Sequence, residues 1–571
     1  MLGDDKNKPT DPNYLDNERS TYLSPTYGRG NFTFPAPSDT IPEDSSTPRA
    51  TLRLILDEID LDAPNSSDLG SYICDYMDPE ADELIRRTIG KVFIDQSEYP
   101  KTAEIGHRVA KMIQRWYHGT GEPTMTGEHR KILGTVTIGS SEAIMMALIA
   151  HRHNWMVKWE ERRGDPVTLP GAAGLDRYNY FRRDKPFGLW ARDVHTCWGK
   201  YSKYFNTNEL VLDLDEENTL IQPDQVWLVI NSTIWDLLNS VTPQFQVMGQ
   251  QIIIECGYDV NNQADKEILQ HKKAGELIYT VGCVVGTTFT GEADPVEEIN
   301  GVLRDFTRVP LAGPDFTYYA DVPIHVDAAS GGFVMPFTAP NTKWDFQLEH
   351  VQSINVSNHK FGLVYPGCGT VVFRDADVVA SELIYNISYL GGSFTDYTLN
   401  FSRGSAMVLA SYYNLVRLGL KGYAEVNTNC VKHAQYLRKV IEEGPVTGKM
   451  FEVISDTDIL PMVVWRDKRP TEEKDKWDLS ELSNELLTYR WSLPAYKLPF
   501  TSSEDPDGPL VMRVVTRQDV STEKVNDLYE SILKSIATLD ARWGDADLTD
   551  PNVQAVKDRV RTAATRTGTM D

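Results

Sequence analysis

The chain of 571 residues holds only six cysteines, Cys74, Cys197, Cys256, Cys283, Cys368 and Cys430. None falls in a C-x-x-C pair, and a chain this long is no disulfide scaffold. Reduced thiols in the cytosol are the expectation. Long apolar runs are missing too. No stretch approaches the roughly 18 residues that a membrane helix needs. The opening residues, Met1-Leu2-Gly3-Asp4-Asp5-Lys6, carry no apolar signal core. A cytoplasmic protein without a membrane partner is therefore expected. Basic residues are in deficit, 57 Lys and Arg against 82 Asp and Glu, for a formal net charge of −25. That balance argues against nucleic acid or an anionic membrane as a partner. Hydrophobic content of 41% and charged content of 24% are ordinary for a globular protein. There is no internal repeat and no metal-binding cluster.

Three short motifs carry chemistry. The first is Ser357-Asn358-His359-Lys360, which follows the apolar run 351–356, read as a strand. A lysine at the end of a buried strand is costly as a cation; desolvation lowers its pKa and makes it a nucleophile toward carbonyls. The aldehyde of pyridoxal phosphate is such a carbonyl. The second motif is His325-Val326-Asp327-Ala328-Ala329-Ser330-Gly331-Gly332. Asp327 ends a predicted strand, where an aspartate suits the protonated ring nitrogen of an electron-sink cofactor. The small residues after it would let a flat ring lie against the backbone. An ordinary strand closing in an Asp turn is the plain alternative. The third is Thr137-Ile138-Gly139-Ser140-Ser141-Glu142-Ala143, opening a segment with helical spacing. Its hydroxyls and free first-turn amides suit a phosphate; a simple Ser N-cap would look the same.

Together these motifs are far more specific than any one of them. The chain resembles the pyridoxal-phosphate-dependent group II amino acid decarboxylases, and within them the glutamate decarboxylases, from about residue 54 to 536. The shared words are residues 137–143, 327–333, 359–363 and 367–369, with 389–392 and 400–403 also similar. The resemblance implies roles by position. Lys360 would hold the cofactor as a Schiff base, with His359 beside it. Asp327 would pair with the ring nitrogen, Ala329 would lie under the ring, and Ser140 and Ser141 would bind phosphate. Ser402 would reach the phosphate from a partner subunit. Arg513 would hold the substrate α-carboxylate, and Tyr389 would help protonate the carbon that loses CO2. Ser71 and Tyr72 would lie near the substrate side chain, and Asp95 would help recognise a distal carboxylate.

The departures from the pattern concern specificity. His195 stands where glutamate decarboxylases stack a glutamine on the ring and other group II enzymes a histidine. Val284 replaces a threonine near the cofactor. The resemblance thus implies decarboxylation of an acidic L-amino acid, with L-glutamate to 4-aminobutyrate first. Aspartate, cysteine sulfinate or an aromatic amino acid is the alternative, as is an inactive paralogue. It also implies a homodimer or higher homo-oligomer.

The expected fold is α/β, the pyridoxal-phosphate-dependent transferase fold of type I. It would have a large domain with a mixed, mostly parallel sheet and a smaller C-terminal α+β domain. Residues 1–65 are expected as an N-terminal arm, 66–430 as the large domain, 431–545 as the small one and 546–571 as a frayed tail. Two stretches, 164–188 and 223–272, lack a counterpart in the family pattern. The first is expected as a surface loop. The apolar runs 226–230 and 250–254 in the second read as an inserted hairpin, or else as translated intron that would pack poorly.

Overall fold

The computed structural model describes residues 40–43, 45–122, 131–163, 184–215, 219–307, 311–312, 317–318, 321–387, 394–500, 508–544 and 551. The chain divides into two compact units, Met1–Asp68 and Leu69–Asp571. In the first, the main element is the helix Pro48–Ile59, started by a proline whose missing N–H costs nothing at that position.

The second unit is built on a seven-stranded sheet. Its strands are Gly134–Thr137 (β1), Phe187–Ala191 (β2), Asn208–Leu212 (β3), Ile278–Val284 (β4), Ile324–Asp327 (β5), Val351–Val356 (β6) and Gly369–Phe373 (β7). Their order across the sheet is β1-β7-β6-β5-β4-β2-β3. The pairs from β6 to β3 are all parallel, and β7 pairs antiparallel with both its neighbours. Only β7 is reversed, so six strands end at one edge. The central strands are buried, every residue of β4 and β5 included, as a parallel sheet covered on both faces requires.

A smaller antiparallel sheet follows, from Phe451–Val453 (β8), Met462–Asp467 (β9), Ala495–Lys497 (β10) and Leu510–Val515 (β11), in the order β8-β9-β11-β10. Helices Leu479–Thr488 and Thr522–Trp543 pack with it around Trp465, Trp477 and Trp543. This α/β architecture agrees with the expected fold class. The helix Ala406–Glu443 packs on β8 and β9, and its Ser411 hydroxyl accepts from the Asn358 side chain, just past β6, at 2.7 Å. It is broken at Gly419, whose φ of 57° a side chain would strain.

The expected hairpin at 223–272 is not present. The stretch forms four helices, Pro223–Asn231, Ile234–Leu238, Pro243–Cys256 and Gln263–His271. Two start on proline, one on a Thr capping box and one on an Asn cap, all helix-start chemistry. Nor is it poorly packed: Val226, Val229, Ile230, Ile252 and Leu269 are wholly buried. The Gln251 side chain also donates to the Glu209 carbonyl at 2.8 Å, tying the third helix to β3.

Candidate active site

Because six strands point one way, residues at their C-terminal ends meet at one edge, where an open parallel sheet offers its ligand crevice. A cleft of about 140 Å³ lies there. Its lining brings together Ser140 and Ser141 after β1, His195 after β2, Val284 at the end of β4, Asp327 and Ala329 at the end of β5, and His359 and Lys360 after β6. Eight predicted residues from five separate stretches thus share one cavity.

Lys360 is recessed, and its Nζ donates to the Ser330 hydroxyl at 3.0 Å. Burial lowers its amine to about 8, against the opposing pull of the Asp327 carboxylate. A measurable fraction is therefore neutral, and nucleophilic, near neutral pH. Asp327 is buried. Its Oδ1 accepts from the Asn355 side-chain amide at 2.8 Å and from the Ala329 backbone at 3.1 Å. The Trp198 indole N–H stands 3.5 Å from Oδ2. Three donors thus face this side chain.

Helix Ser140–Arg163 starts directly after the Gly139 turn, so its unpaired first-turn amides open on the cleft edge. Ser140 Oγ lies 2.7 Å from the Ser357 hydroxyl. Gly369 of β7 faces the turn so closely that a Cβ there would come within 2.6 Å of the Gly139 carbonyl carbon. His359 is held neutral, pushed down to about 4 by burial and then by the Lys360 charge. Its Nδ1 is shut away from solvent with no hydrogen-bond partner. His195 is likewise lowered by burial, and its Nδ1 accepts from the Cys197 backbone at 3.3 Å.

Pyridoxal phosphate fits this arrangement. A nucleophilic amine, a fixed carboxyl group and a helix start carrying two serines surround one cavity, and the His359 ring lines it too. Lys360 would bind the aldehyde, Asp327 the ring nitrogen, and Ser140 and Ser141 the phosphate.

The family profile described as the pyridoxal-dependent decarboxylase conserved domain matches residues 70–227 and 248–468. The chain belongs to the pyridoxal-dependent decarboxylases. The gap in that match, 228–247, falls inside the helical stretch described above. Among characterised relatives, glutamate decarboxylase 5 of Arabidopsis thaliana is 33% identical over 508 residues, covering 89% of this chain and 84% of the relative. Glutamate decarboxylase beta of Listeria innocua is 30% identical over 528 residues, covering 92% and 95%. The solved glutamate decarboxylase of Lactobacillus brevis superposes with a TM-score of 0.70 at 28% identity, covering 90% of this chain and 97% of that one. Among more distant pyridoxal-phosphate decarboxylases, an Oryza sativa enzyme crystallised with PLP and tryptamine (TM-score 0.62, 15% identity) shares the fold.

The substrate-side residues lie beside the cleft. The Tyr72 ring is buried, with the Lys360 amine and the Arg513 guanidinium each 5.0 Å from its centre. Its hydroxyl donates to Met462 Sδ at 2.7 Å. Arg513, on β11, donates to the Thr288 and Gly70 carbonyls at 2.6 and 2.7 Å. Ser71 accepts from the Ile73 backbone at 3.1 Å.

Two predicted residues stand apart from the cleft in the single chain. Ser402 is exposed, and Asp95 accepts from the Glu98 backbone at 3.1 Å. Their segments pair with each other, Phe93 N–H donating to the Arg403 carbonyl at 2.8 Å, so they share one patch. Tyr389 lies outside the described residues. Sequence reasoning missed Ser330, Ser357 and Asn355. Ser330 and Ser357 sat inside the motifs, and Asn355 lay two residues from Ser357 on a predicted strand, so strand alternation was the available signal.

Proposed function

We propose that this chain decarboxylates an acidic L-amino acid, with L-glutamate going to 4-aminobutyrate and CO2. The observation that carries this is the meeting of Lys360, Asp327 and the Ser140-Ser141 helix start in one cleft, with Arg513 and Tyr72 beside it. The names of the relatives support glutamate as the substrate. Bound in the cleft, pyridoxal phosphate supplies an electron sink for the pair left behind when the carboxylate departs.

The protein's own residues set the rest. Arg513 would grip the α-carboxylate and fix the direction of the scissile bond, a positioning effect. Asp327 keeps the proton on the ring nitrogen and so stabilises developing negative charge. His195 stacks on the ring, and Ala329 leaves room on the other face. Lys360 or Tyr389 would return a proton to the α-carbon. Asp95 and Ser402 act across a subunit boundary in a homodimer, which accounts for their common patch outside the single-chain cleft. A cytoplasmic location agrees with six buried free thiols.

CO2 release measured over a panel of glutamate, aspartate, cysteine sulfinate and aromatic amino acids tests this. Turnover of glutamate above the others is expected. Good turnover of another acid with none of glutamate would overturn the assignment, and aldehyde in place of amine would overturn the reaction type.

A further inference from the structure

Asp327 is the end of a longer construction. The register of β5 on β6 slips between Ile324 and His325, so that His325 pairs with Ser353 and Asp327 with Asn355. With the period-two alternation of strands, these four side chains fall on one face. The Asn355 amide then lies between Asp327 and His325. A carboxylate cannot donate, so the Asn355 Nδ2 must face Asp327 (2.8 Å) and its Oδ1 must face His325 Nε2 (2.9 Å).

That one orientation decides every proton behind it. His325 must carry its hydrogen on Nε2, which leaves Nδ1 to accept from the Ser353 hydroxyl at 2.7 Å. Ser353 Oγ, its proton committed, accepts from His151 Nε2 at 3.0 Å. His151 Nδ1 must then accept from the Thr280 hydroxyl at 2.9 Å, a shorter contact than that hydroxyl makes to the Pro323 and Val281 carbonyls, at 3.2 and 3.4 Å. All of these side chains are buried, four of them with no exposed surface. Both imidazoles are kept neutral, His325 pushed down to about 4 chiefly by burial and His151 well below its usual value for the same reason. Neutral imidazoles are what the pattern demands, since a second ring proton would face a donor.

We infer that Thr280, His151, Ser353, His325 and Asn355 form a one-way donor relay whose function is to fix the plane and the acceptor state of Asp327. Asn355 is the positioning residue that makes the contact. The relay loads Asp327 Oδ1 and leaves Oδ2, with only a 3.5 Å contact to Trp198, as the oxygen for the ring N–H. The inference rests on the proposed cofactor seat at Asp327, and not on which amino acid is the substrate.

The test is the affinity of the cofactor-free protein for pyridoxal phosphate, read from quenching of tryptophan fluorescence, in the wild type and in Asn355→Leu. Loss of a buried hydrogen bond to a charged group predicts binding weaker by about tenfold or more. The reconstituted variant should show a lower kcat at unchanged KM, since Asn355 touches no substrate. Wild-type affinity and kcat in a folded Asn355→Leu would overturn the inference. If that variant does not fold, neutron diffraction from the wild-type holoenzyme decides. Deuterium on Nε2 of both His325 and His151 supports the relay, and deuterium on Nδ1 of His325 overturns it. A wild-type protein that takes up no cofactor at all would instead defeat the proposed function, and the relay with it.

Discussion

The Arg513 guanidinium lies 5.0 Å from the centre of the Tyr72 ring. The ring is buried and Lys360 approaches it at the same distance, so Tyr72 neighbours both cations that the proposed reaction uses. Burial keeps its phenol protonated, and a cation over such a face gains about 0.5–2 kcal/mol. Tyr72→Ala should therefore raise KM by roughly 2- to 30-fold through a loosened Arg513. Tyr72→Phe, which keeps the ring but loses the hydroxyl contacts to Met462, Thr288 and Arg513, should raise it less. Steady-state kinetics on both variants checks this; an unchanged KM in Tyr72→Ala counts against the role.

In the proposed role, Lys360 would attach the cofactor only when its amine is unprotonated. With that amine lowered to about 8, the rate of cofactor attachment to the free protein should climb about tenfold per pH unit below 8 and level off above it. Stopped-flow absorbance from pH 6 to 9.5 gives the profile. A midpoint near the ordinary lysine value would mean that burial does not activate this amine.

Gly369 touches no substrate, yet it should govern cofactor affinity. A Cβ at this position would press on Gly139 and on the Ser140 amide nitrogen at 2.6 and 2.8 Å, and backbone has nowhere to yield cheaply. Gly369→Ala should weaken pyridoxal phosphate binding at least as much as Ser140→Ala does, by roughly tenfold. Equilibrium titration of both variants compares them, and an unaffected Gly369→Ala would show that the turn is not the phosphate seat.

Asp193, on the cleft wall, is pushed up to about 6, first by burial, with Glu292 adding to the effect. Buried Asp294, itself raised, has Asp193 as a repelling neighbour. A carboxyl with a raised folded-state pKa stabilises the fold below its unfolded value and loses that contribution as pH rises through the folded value. The loss should occur between about pH 4 and pH 6 and amount to roughly 2–3 kcal/mol. Asp193→Asn should thus raise Tm at pH 7.5 more than at pH 4.5. Equal shifts at both values would remove the argument.

The three strand-to-turn motifs were legible because each is local: a strand end, a turn and one chemically distinctive side chain within seven residues. Their convergence was legible as well, since parallel strands deliver their ends to one edge. Asn355 and His325 were not, because their partnership depends on a register slip that neither strand reveals alone. The 223–272 stretch was misread because five apolar residues in a row fit a buried strand or a helix equally well. The prolines at 223 and 243 were the signal that should have decided it. Asp95 and Ser402 carry family-like words, but a single chain does not bring them to the cleft.

Lys360 is supplied by the seven-stranded sheet and Arg513 by the four-stranded one. Covalent capture of the vitamin needs the first scaffold only, whereas steering a departing carboxylate needs the two in register. Stress that loosens their packing, whether heat, denaturant or a mutation far from the chemistry, will leave a yellow enzyme that no longer turns over. On the proposed roles of Lys360 and Arg513, loss of catalysis should precede loss of colour as the two sheets come apart.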